Sequence, residues 1–219
     1  MENFVKRYYD IFKGYPTNVL EIGSRDGHDA HYMKTYFDVP DNRVYIVEPN
    51  PPQAQKIRLS YPNYKVYEFA ISESVGILQF NSINCPSDDE YLNKFLGMSS
   101  LLKIKEDINF YRHDELKKYD RWINVLSISG KMLLDLIGDV EYDIVKIDVE
   151  GATFSVLKSF GDDIKRIKYI HMEAEQIPIW ENEITYDVIY KYMIDMGFKE
   201  SYRKDYTFNQ CDTIWYNTK

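Results

Sequence analysis

Short apolar segments and longer amphipathic segments alternate along most of the chain. The apolar segments have the length and the valine and isoleucine content of strands, and they lie at residues 18–22, 43–47, 64–70, 142–148 and 167–173. The intervening segments carry apolar residues at helical spacing, and they predict helices at residues 28–37, 51–60, 130–137, 152–160 and 185–196. This alternation predicts a doubly wound parallel sheet with helices on both faces.

The remaining segments modify this plan. Apolar residues at helical spacing before Gly14 and Pro16 predict an N-terminal helix over residues 1–14. Two closing strands, at residues 198–202 and 213–216, have no helix between them, so we expect an antiparallel edge. A short strand at residues 76–80 is expected to pair beside the strand at 64–70, and a further strand is expected at residues 122–126.

The periodic pattern weakens between residues 81 and 120. This stretch contains Pro86, an acidic run at residues 88–90 and Gly97. Insertions of this length between strands of a compact domain are commonly functional. We expect this one to cover the substrate, with the Gly-Met-Ser-Ser-Leu sequence of residues 97–101 at its base.

Composition narrows the class of protein. A length of 219 residues favours a single domain over residues 1–219, and the 27 basic against 35 acidic residues give a net charge of −8, which argues against a nucleic-acid partner. No apolar run approaches the roughly 18 residues that span a bilayer. The first ten residues are too charged for a secretory signal, and Cys85 and Cys211 match no metal-ligand spacing. We therefore expect a cytoplasmic protein without a membrane span.

Polar residues at the ends of the first two strands indicate the kind of ligand. The loop Gly-Ser-Arg-Asp-Gly, residues 23–27, has Arg25 where a dinucleotide-binding loop has its second glycine, so a cofactor without phosphates fits better. Glu21 just before the loop would repel a pyrophosphate but suits an ammonium or a sulfonium. Glu48 ends the next strand, where a carboxylate can bind both hydroxyls of a ribose. These features favour S-adenosylmethionine.

Several segments together resemble the FkbM family of S-adenosylmethionine-dependent methyltransferases. They are VLEIGSRDG, IVEPNP, AISESVG, GMSSL and, most specifically, DIVKIDVEGATFSVLKSF, within residues 17–175. The resemblance implies a Rossmann-like class I methyltransferase sandwich, whose mostly parallel seven-stranded sheet has an antiparallel edge. It also implies O-methylation, with a sugar or glycan as the acceptor.

The resemblance further implies roles for individual residues. The loop residues Gly23, Ser24, Arg25 and Asp26 would hold the methionyl part of the cofactor, Glu48 the ribose, and Ala70 and Ile71 the adenine edge; Ser99 is a further candidate for cofactor binding. The family usually has Asp-x-Gly-Ala-Asn-x-Gly in its first motif, and this chain departs from it in three positions, Glu21, Ser24 and Arg25.

Candidate catalytic residues follow the strand at 142–148. Lys146, Asp148 and Glu150 are two apart, so an extended strand end directs them to one side. Asp148 could deprotonate a hydroxyl or bind a divalent cation, or it could merely cap the next helix. His171 and Glu173 end the neighbouring strand, where the histidine could be a second base or a hydrogen-bonding residue at the edge of the core.

Two questions stay open at this level. Asp148, Glu150, Glu173 and Glu175 supply enough oxygen ligands for Mg²⁺ or Mn²⁺, yet carboxylates at strand ends are common without a metal. Two other classes of protein share such a sheet. A nicotinamide-dependent reductase would need the missing second glycine, and a non-catalytic scaffold would bind the cofactor without turnover.

Overall fold

The computed structural model describes residues 11, 16–83, 97–106, 118–138, 142–206 and 209–219. The strands are β1 (Val19–Ile22), β2 (Val44–Val47), β3 (Lys65–Tyr67), β4 (Ala70–Ile71), β5 (Gly76–Ile83), β6 (Asp120–Ile128), β7 (Tyr142–Ile147), β8 (Ile167–Glu175), β9 (Phe198–Asp205) and β10 (Gln210–Asn217). The helices are α1 (His28–Phe37), α2 (Pro51–Ser60), α3 (Gly130–Ile137), α4 (Thr153–Ser159) and α5 (Tyr186–Asp195).

Seven strands form the main sheet, in the order β3-β2-β1-β7-β8-β10-β9. The first five of these are parallel, whereas β10 runs antiparallel to both β8 and β9. The predicted mostly parallel seven-stranded sheet with an antiparallel edge is therefore confirmed. The antiparallel edge arises because β9 and β10 are joined without a helix, and parallel strands need a longer crossover.

A second sheet, in the order β4-β6-β5, was not anticipated by the sequence pattern. The predicted strand at 64–70 is in fact two strands, because the chain leaves the main sheet after Tyr67 and enters the second sheet at Ala70. The prediction that residues 76–80 pair beside that strand was wrong. They belong to β5, which pairs antiparallel with β6 over eight residues, and this long ladder outweighs a pairing with the two-residue β4.

Helices cover both faces of the main sheet, as expected. On one face, α1 and α2 pack against Val19, Ile46 and Ile144. On the other face, α3, α4 and α5 pack against alternate residues of the same strands, among them Leu20 and Val145. Both sets are fully buried because successive side chains of a strand point to opposite faces. The result is a three-layer sandwich around one sheet.

The strand order reverses between β1 and β7, and this reversal creates the crevice where ligands bind in such sheets. The backbone N–H of Asp148, just after β7, donates to the carbonyl of Ile22 at 2.9 Å. The N–H of Gly23, just after β1, donates to the carbonyl of Val47 at 2.9 Å. The ends of three neighbouring strands are thus joined at one edge of the sheet.

Some sequence predictions concern residues outside the described ranges. Of the predicted helix over residues 1–14, only Ile11 is described, and it packs against the core on the α1 face. Of the predicted covering segment, residues 81–83 continue β5 and residues 97–106 are described, whereas 84–96 and 107–117 lie outside. Its role as a cover stays a prediction. Among the described residues, no helix is both long and apolar enough to cross a membrane.

Candidate functional site

A cavity of about 320 Å³ opens at the carboxyl ends of β1, β2 and β7. Its wall contains most of the predicted site residues, namely Gly23, Ser24, Arg25, Asp26, Glu48, Ala70, Ile71, Ser99, Lys146, Asp148 and Glu173. Two predicted residues, Glu21 and His171, are not part of this wall. The sequence positions that the strand-end argument selected therefore converge on one pocket.

The loop after β1 makes the close backbone approach that a bound cofactor needs. Gly23 has φ +78°, and a Cβ at this position would overlap the carbonyl oxygen of Asp148, so only glycine fits. Arg25, at the position of the missing second glycine, has φ +59°. The loop therefore keeps a left-handed backbone conformation at position 25. The guanidinium of Arg25 pairs with Asp26 at 3.0 Å at the rim of the pocket.

Glu48 holds this loop in place. One carboxylate oxygen accepts the backbone N–H groups of Ser24 at 3.1 Å and Arg25 at 2.8 Å, and the other accepts that of Asn50 at 2.8 Å. Burial raises the pKa of Glu48, although these three hydrogen bonds oppose the shift. The carboxylate lies in the pocket wall, where the one remaining lone pair, on the oxygen that accepts Asn50, can accept a hydroxyl of a ribose.

Asn50 was not singled out by the sequence, where it is only the residue before the two prolines that begin α2. Its side chain is fully buried in the pocket wall. The side-chain oxygen accepts the hydroxyl of Ser82 at 3.0 Å, but the Nδ2 donor has no partner among the described residues. A buried donor without a partner costs free energy, so a ligand with an acceptor oxygen or ring nitrogen fits here.

Apolar residues complete the pocket on the side of the second sheet. Phe69, Ala70, Ile71, Phe80 and Leu101 line it there. This apolar slot lies next to the carboxylate of Glu48 and the amide of Asn50, which follow β2. The combination matches adenosine, which has a flat ring joined to a hydroxylated sugar. The residues present therefore fit a nucleoside cofactor without phosphates.

Residues 97–101, the base of the predicted covering segment, form part of the pocket wall. Gly97, Ser99 and Leu101 line it. The hydroxyl of Ser99 accepts the N–H of Ile83 at 3.0 Å, and the hydroxyl of Ser100 donates to the carbonyl of Glu150 at 2.7 Å. These bonds fix residues 97–101 between β5 and the loop that follows β7.

Lys146 is the centre of a buried charge network at the floor of the pocket. Its ammonium donates to Asp148 at 3.0 Å and also to Asp29, and it lies 3.6 Å from Glu21. Burial alone would lower the pKa of Lys146, but the three carboxylates raise it well above its usual value. Asp29 lines the pocket and was missed by the sequence analysis, because a carboxylate in the first turn of a helix also favours the helix dipole.

Glu21 lies beneath the loop rather than in the pocket wall. One carboxylate oxygen accepts the hydroxyl of Ser24 at 2.7 Å and the N–H of Ala30 at 3.2 Å. Burial raises its pKa to about 8, while Lys146 lowers it. Glu21 therefore shapes the loop and the start of α1, and a direct contact of its carboxylate with the cofactor stays a prediction.

Three carboxyl groups meet beside the floor of the pocket. Asp148, Glu150 and Glu173 each offer one oxygen, and these oxygens lie within 4.8 Å of one another. Burial, followed by the charge of Asp148, raises the pKa of both Glu150 and Glu173 well above its usual value. Proximity of the three groups therefore favours bound protons, or a divalent cation in their place. Glu175, the fourth predicted ligand, is not part of this cluster.

The structure also bears on the alternatives for Asp148 and His171. Asp148 does not cap α4, whose N-cap is Ala152 without a side-chain hydrogen bond. His171 pairs in register with Lys146, two residues before Glu173, and its Nε2 lies 3.6 Å from Asp212. The histidine is therefore set back from the pocket wall, and its role as a second base or as a hydrogen-bonding residue stays a prediction.

Residues 21–200 match the Methyltransferase FkbM domain. The chain belongs to the FkbM methyltransferase family. This match confirms the resemblance seen in the sequence, and it favours a methyltransferase over a nicotinamide-dependent reductase. A curated relative, 2-O-methyltransferase NoeI of Sinorhizobium fredii (strain NBRC 101917 / NGR234), is 22% identical over 172 residues, which are 76% of this chain and 66% of NoeI.

Solved structures share the fold of this FkbM-family chain. Methyltransferase FkbM from Methylobacillus flagellatus KT has a TM-score of 0.55 at 12% identity, covering 94% of this chain and 45% of that one. Magnesium protoporphyrin IX methyltransferase (ChlM) from Synechocystis PCC 6803, with bound S-adenosylmethionine, has a TM-score of 0.50 at 10% identity, covering 99% and 77%. The chain thus spans less than half of the first structure and just under two thirds of NoeI. The Rossmann-like methyltransferase fold is confirmed.

Proposed function

We propose that this protein transfers the methyl group of S-adenosylmethionine to a hydroxyl of a sugar or glycan. Family membership supports methyl transfer, and the name of the relative NoeI supports an oxygen acceptor. The observation that carries the proposal is the carboxylate of Asp148. It lies in the pocket wall, paired with the buried Lys146, where a base for a hydroxyl is needed.

The pocket residues divide between binding and chemistry. Glu48 and Asn50 hold the ribose, the apolar slot beside Ala70 holds the adenine, and the loop at residues 23–26 holds the methionyl part. When bound, S-adenosylmethionine supplies an electrophilic methyl group. The protein contributes mainly by holding the acceptor oxygen in line with this methyl group. Such positioning lowers the activation barrier, because the two reactants no longer have to find each other in the correct orientation.

Asp148 accepts the proton that the acceptor hydroxyl loses. The ion pair with Lys146 keeps its carboxylate oriented, and Lys146 itself is fixed by Asp29. Burial and the charge of Asp148 raise the pKa of Glu150 and Glu173 well above its usual value, which favours their protonated forms, and a protonated carboxyl group cannot act as a base. A positioned base of this kind typically contributes about 10² to 10⁴ in rate.

The three-carboxyl cluster supports a second way to activate the same hydroxyl. Mg²⁺ or Mn²⁺ held by Asp148, Glu150 and Glu173 would lower the pKa of the hydroxyl. Chelation with EDTA separates the two routes. Turnover that survives EDTA supports Asp148 as the base, whereas turnover that is lost and then restored by either cation supports a metal.

A methyl-transfer assay tests the proposal. The protein is incubated with tritiated S-adenosylmethionine and a panel of saccharides, and the labelled product is identified by mass spectrometry. We expect label on a sugar oxygen. Calorimetry with S-adenosylhomocysteine and with NADH is run in parallel. Binding of S-adenosylhomocysteine without transfer to any acceptor would favour the non-catalytic scaffold, and binding of NADH instead would favour the reductase.

A further inference from the structure

The pocket at the strand ends has room for little more than one small ligand. Its volume of about 320 Å³ is near the lower limit of ligand cavities, which range from about 300 to 1,000 Å³. The cofactor alone has to occupy most of this space. An acceptor therefore places only its reacting part at Asp148, and the rest of it needs an adjoining surface.

A second cavity, of about 370 Å³, adjoins this pocket. It lies between the turn that joins β4 to β5, the beginning of α4 and the segment before α5. Leu101 and Ala152 line both cavities, so the two share a wall beside the base of the predicted covering segment. We call this second cavity the distal groove and define it by Gln79, Leu101, Phe154, Ser155 and Asn182.

The polar groups of the distal groove are neutral donors and acceptors. The hydroxyl oxygen of Ser155 accepts the N–H of Glu73 at 3.2 Å, which leaves its O–H to donate to a ligand. Asn182 also lines the groove, and its exposed side-chain amide offers both a donor and an acceptor. Gln79 donates to Asn124 and keeps an amide oxygen as an acceptor. Such groups match sugar hydroxyls, which both donate and accept.

The charge of the lining favours a neutral occupant. Among the described residues that line the distal groove, Glu73 is the one charged side chain, and Lys158 pairs with it at 2.9 Å. A phosphorylated or carboxylated group would find no cation in this lining. Phe154 and Leu101 add apolar surface on which the C–H face of a sugar ring can pack. A neutral, hydroxylated ligand with apolar faces fits best.

We propose that the distal groove binds the neighbouring sugar units of an oligosaccharide acceptor, while the unit to be methylated lies at Asp148. This inference rests on the proposed function, because it assumes methyl transfer to a sugar. It adds that the enzyme recognises a chain of at least two sugar units, and that the distal groove selects for length.

Two substitutions remove polar groups of the distal groove, and Ser155→Ala also removes the hydrogen bond from the exposed N–H of Glu73. Asn182→Gly keeps a residue that tolerates the left-handed φ of +59° and deletes the amide. Ser155→Ala deletes the hydroxyl within α4, where alanine is a good helix former. Asn209→Gly is the matched control, because Asn209 is exposed, has φ +61° and lies in the turn before β10.

The assay compares acceptors of different length. The probes are glucose, mannose, galactose and N-acetylglucosamine, each as the methyl glycoside and as linear oligomers of two to four units, together with peptides that contain serine and tyrosine. For the wild type, we expect kcat/KM to rise about 10-fold from one unit to two. Each groove variant should raise KM for the oligomers by about 3- to 10-fold, the contribution of one neutral hydrogen bond.

The outcomes separate this inference from the proposed function. Support requires that both variants keep wild-type kinetics on the monosaccharides and wild-type affinity for S-adenosylhomocysteine, and that Asn209→Gly behaves as the wild type throughout. Equal activity on all lengths, or equal damage to short and long acceptors, overturns the distal groove but leaves sugar methylation intact. If no saccharide is methylated, or a peptide is methylated instead, the proposed function fails and this inference fails with it.

Discussion

Asp148→Asn is the substitution that tests the proposed chemistry most directly. Asparagine has the size of aspartate. Its side-chain oxygen can still accept a hydrogen bond from the ammonium of Lys146, which lies 3.0 Å from the Asp148 carboxylate. The side chain therefore keeps its place, but it loses its charge and cannot accept a proton. The variant isolates the role of the base from the role of the ion pair.

The structure gives the expected magnitudes for this variant. Loss of a positioned base lowers turnover by about 10² to 10⁴, or about 2.7 to 5.4 kcal/mol of transition-state stabilisation. Stability changes little, because Lys146 keeps Asp29 and Glu21, and the Asp148 side chain is 31% exposed. A partly solvated ion pair contributes at most about 1 kcal/mol, which corresponds to about 2 to 4 °C in Tm for a chain of this size.

The assay measures kcat with the best saccharide acceptor, affinity for S-adenosylhomocysteine by calorimetry, and Tm. Asp29→Asn is the matched control, since it removes a different carboxylate from Lys146 and leaves the base in place. We expect a large loss of kcat for Asp148→Asn and a clearly smaller loss for Asp29→Asn, with similar affinity and Tm. If Asp148→Asn turns over within a few-fold of the wild type, or if both variants lose kcat equally, Asp148 is not the base.

Three further substitutions probe the pocket and the acid cluster. Glu48→Gln should weaken binding of S-adenosylhomocysteine about 10- to 150-fold, because a charge-assisted bond contributes roughly 1.5 to 3 kcal/mol; unchanged affinity in calorimetry would remove the ribose from this position. Gly23→Ala should lower the free energy of unfolding in urea by about 2 to 5 kcal/mol, because the new Cβ would overlap the carbonyl oxygen of Asp148 and the residue has a left-handed φ. Gly76→Ala should lower it less, because a Cβ at that position meets nothing within 4 Å. Burial and the hydrogen bond to Glu183 raise the pKa of Glu175 to about 11, so its proton stabilises the fold fully below about pH 4.5, and this contribution is lost as the pH rises towards 11. Tm should therefore fall between pH 6 and 9, and Glu175→Gln should flatten this fall; parallel profiles in thermal melts would contradict a buried neutral acid.

The local pattern of the sequence determined the main sheet and the location of the pocket. Alternation of short apolar strands with amphipathic helices is a local signal, and it predicted the parallel strands and the antiparallel edge. The same logic selected Gly23, Glu48 and Asp148, because the carboxyl ends of parallel strands meet at one edge. The requirement for glycine at position 23 also follows a sequence signal, although only the structure shows what it approaches.

The second sheet depended on contacts that no local pattern carries. β5 and β6 pair across about forty residues of intervening chain, and β4 has only two residues, too few to show a period. Pairing between distant segments is set by tertiary packing. The sequence pattern therefore merged β3 and β4 into one strand and assigned residues 76–80 to the wrong partner, although it recognised most of these residues as extended.

The fine structure of the site was likewise decided by tertiary structure. Glu21 and Glu48 look alike in sequence, each being an acid at a strand end, yet the first lies under the loop and the second in the pocket wall. Asn50 and Asp29 gave no signal, since an asparagine before a helix and an aspartate in a first turn are ordinary capping residues. Strand periodicity fixes the side of the sheet to which a residue points, but which side chains meet across the crevice depends on the register and packing of segments far apart in sequence.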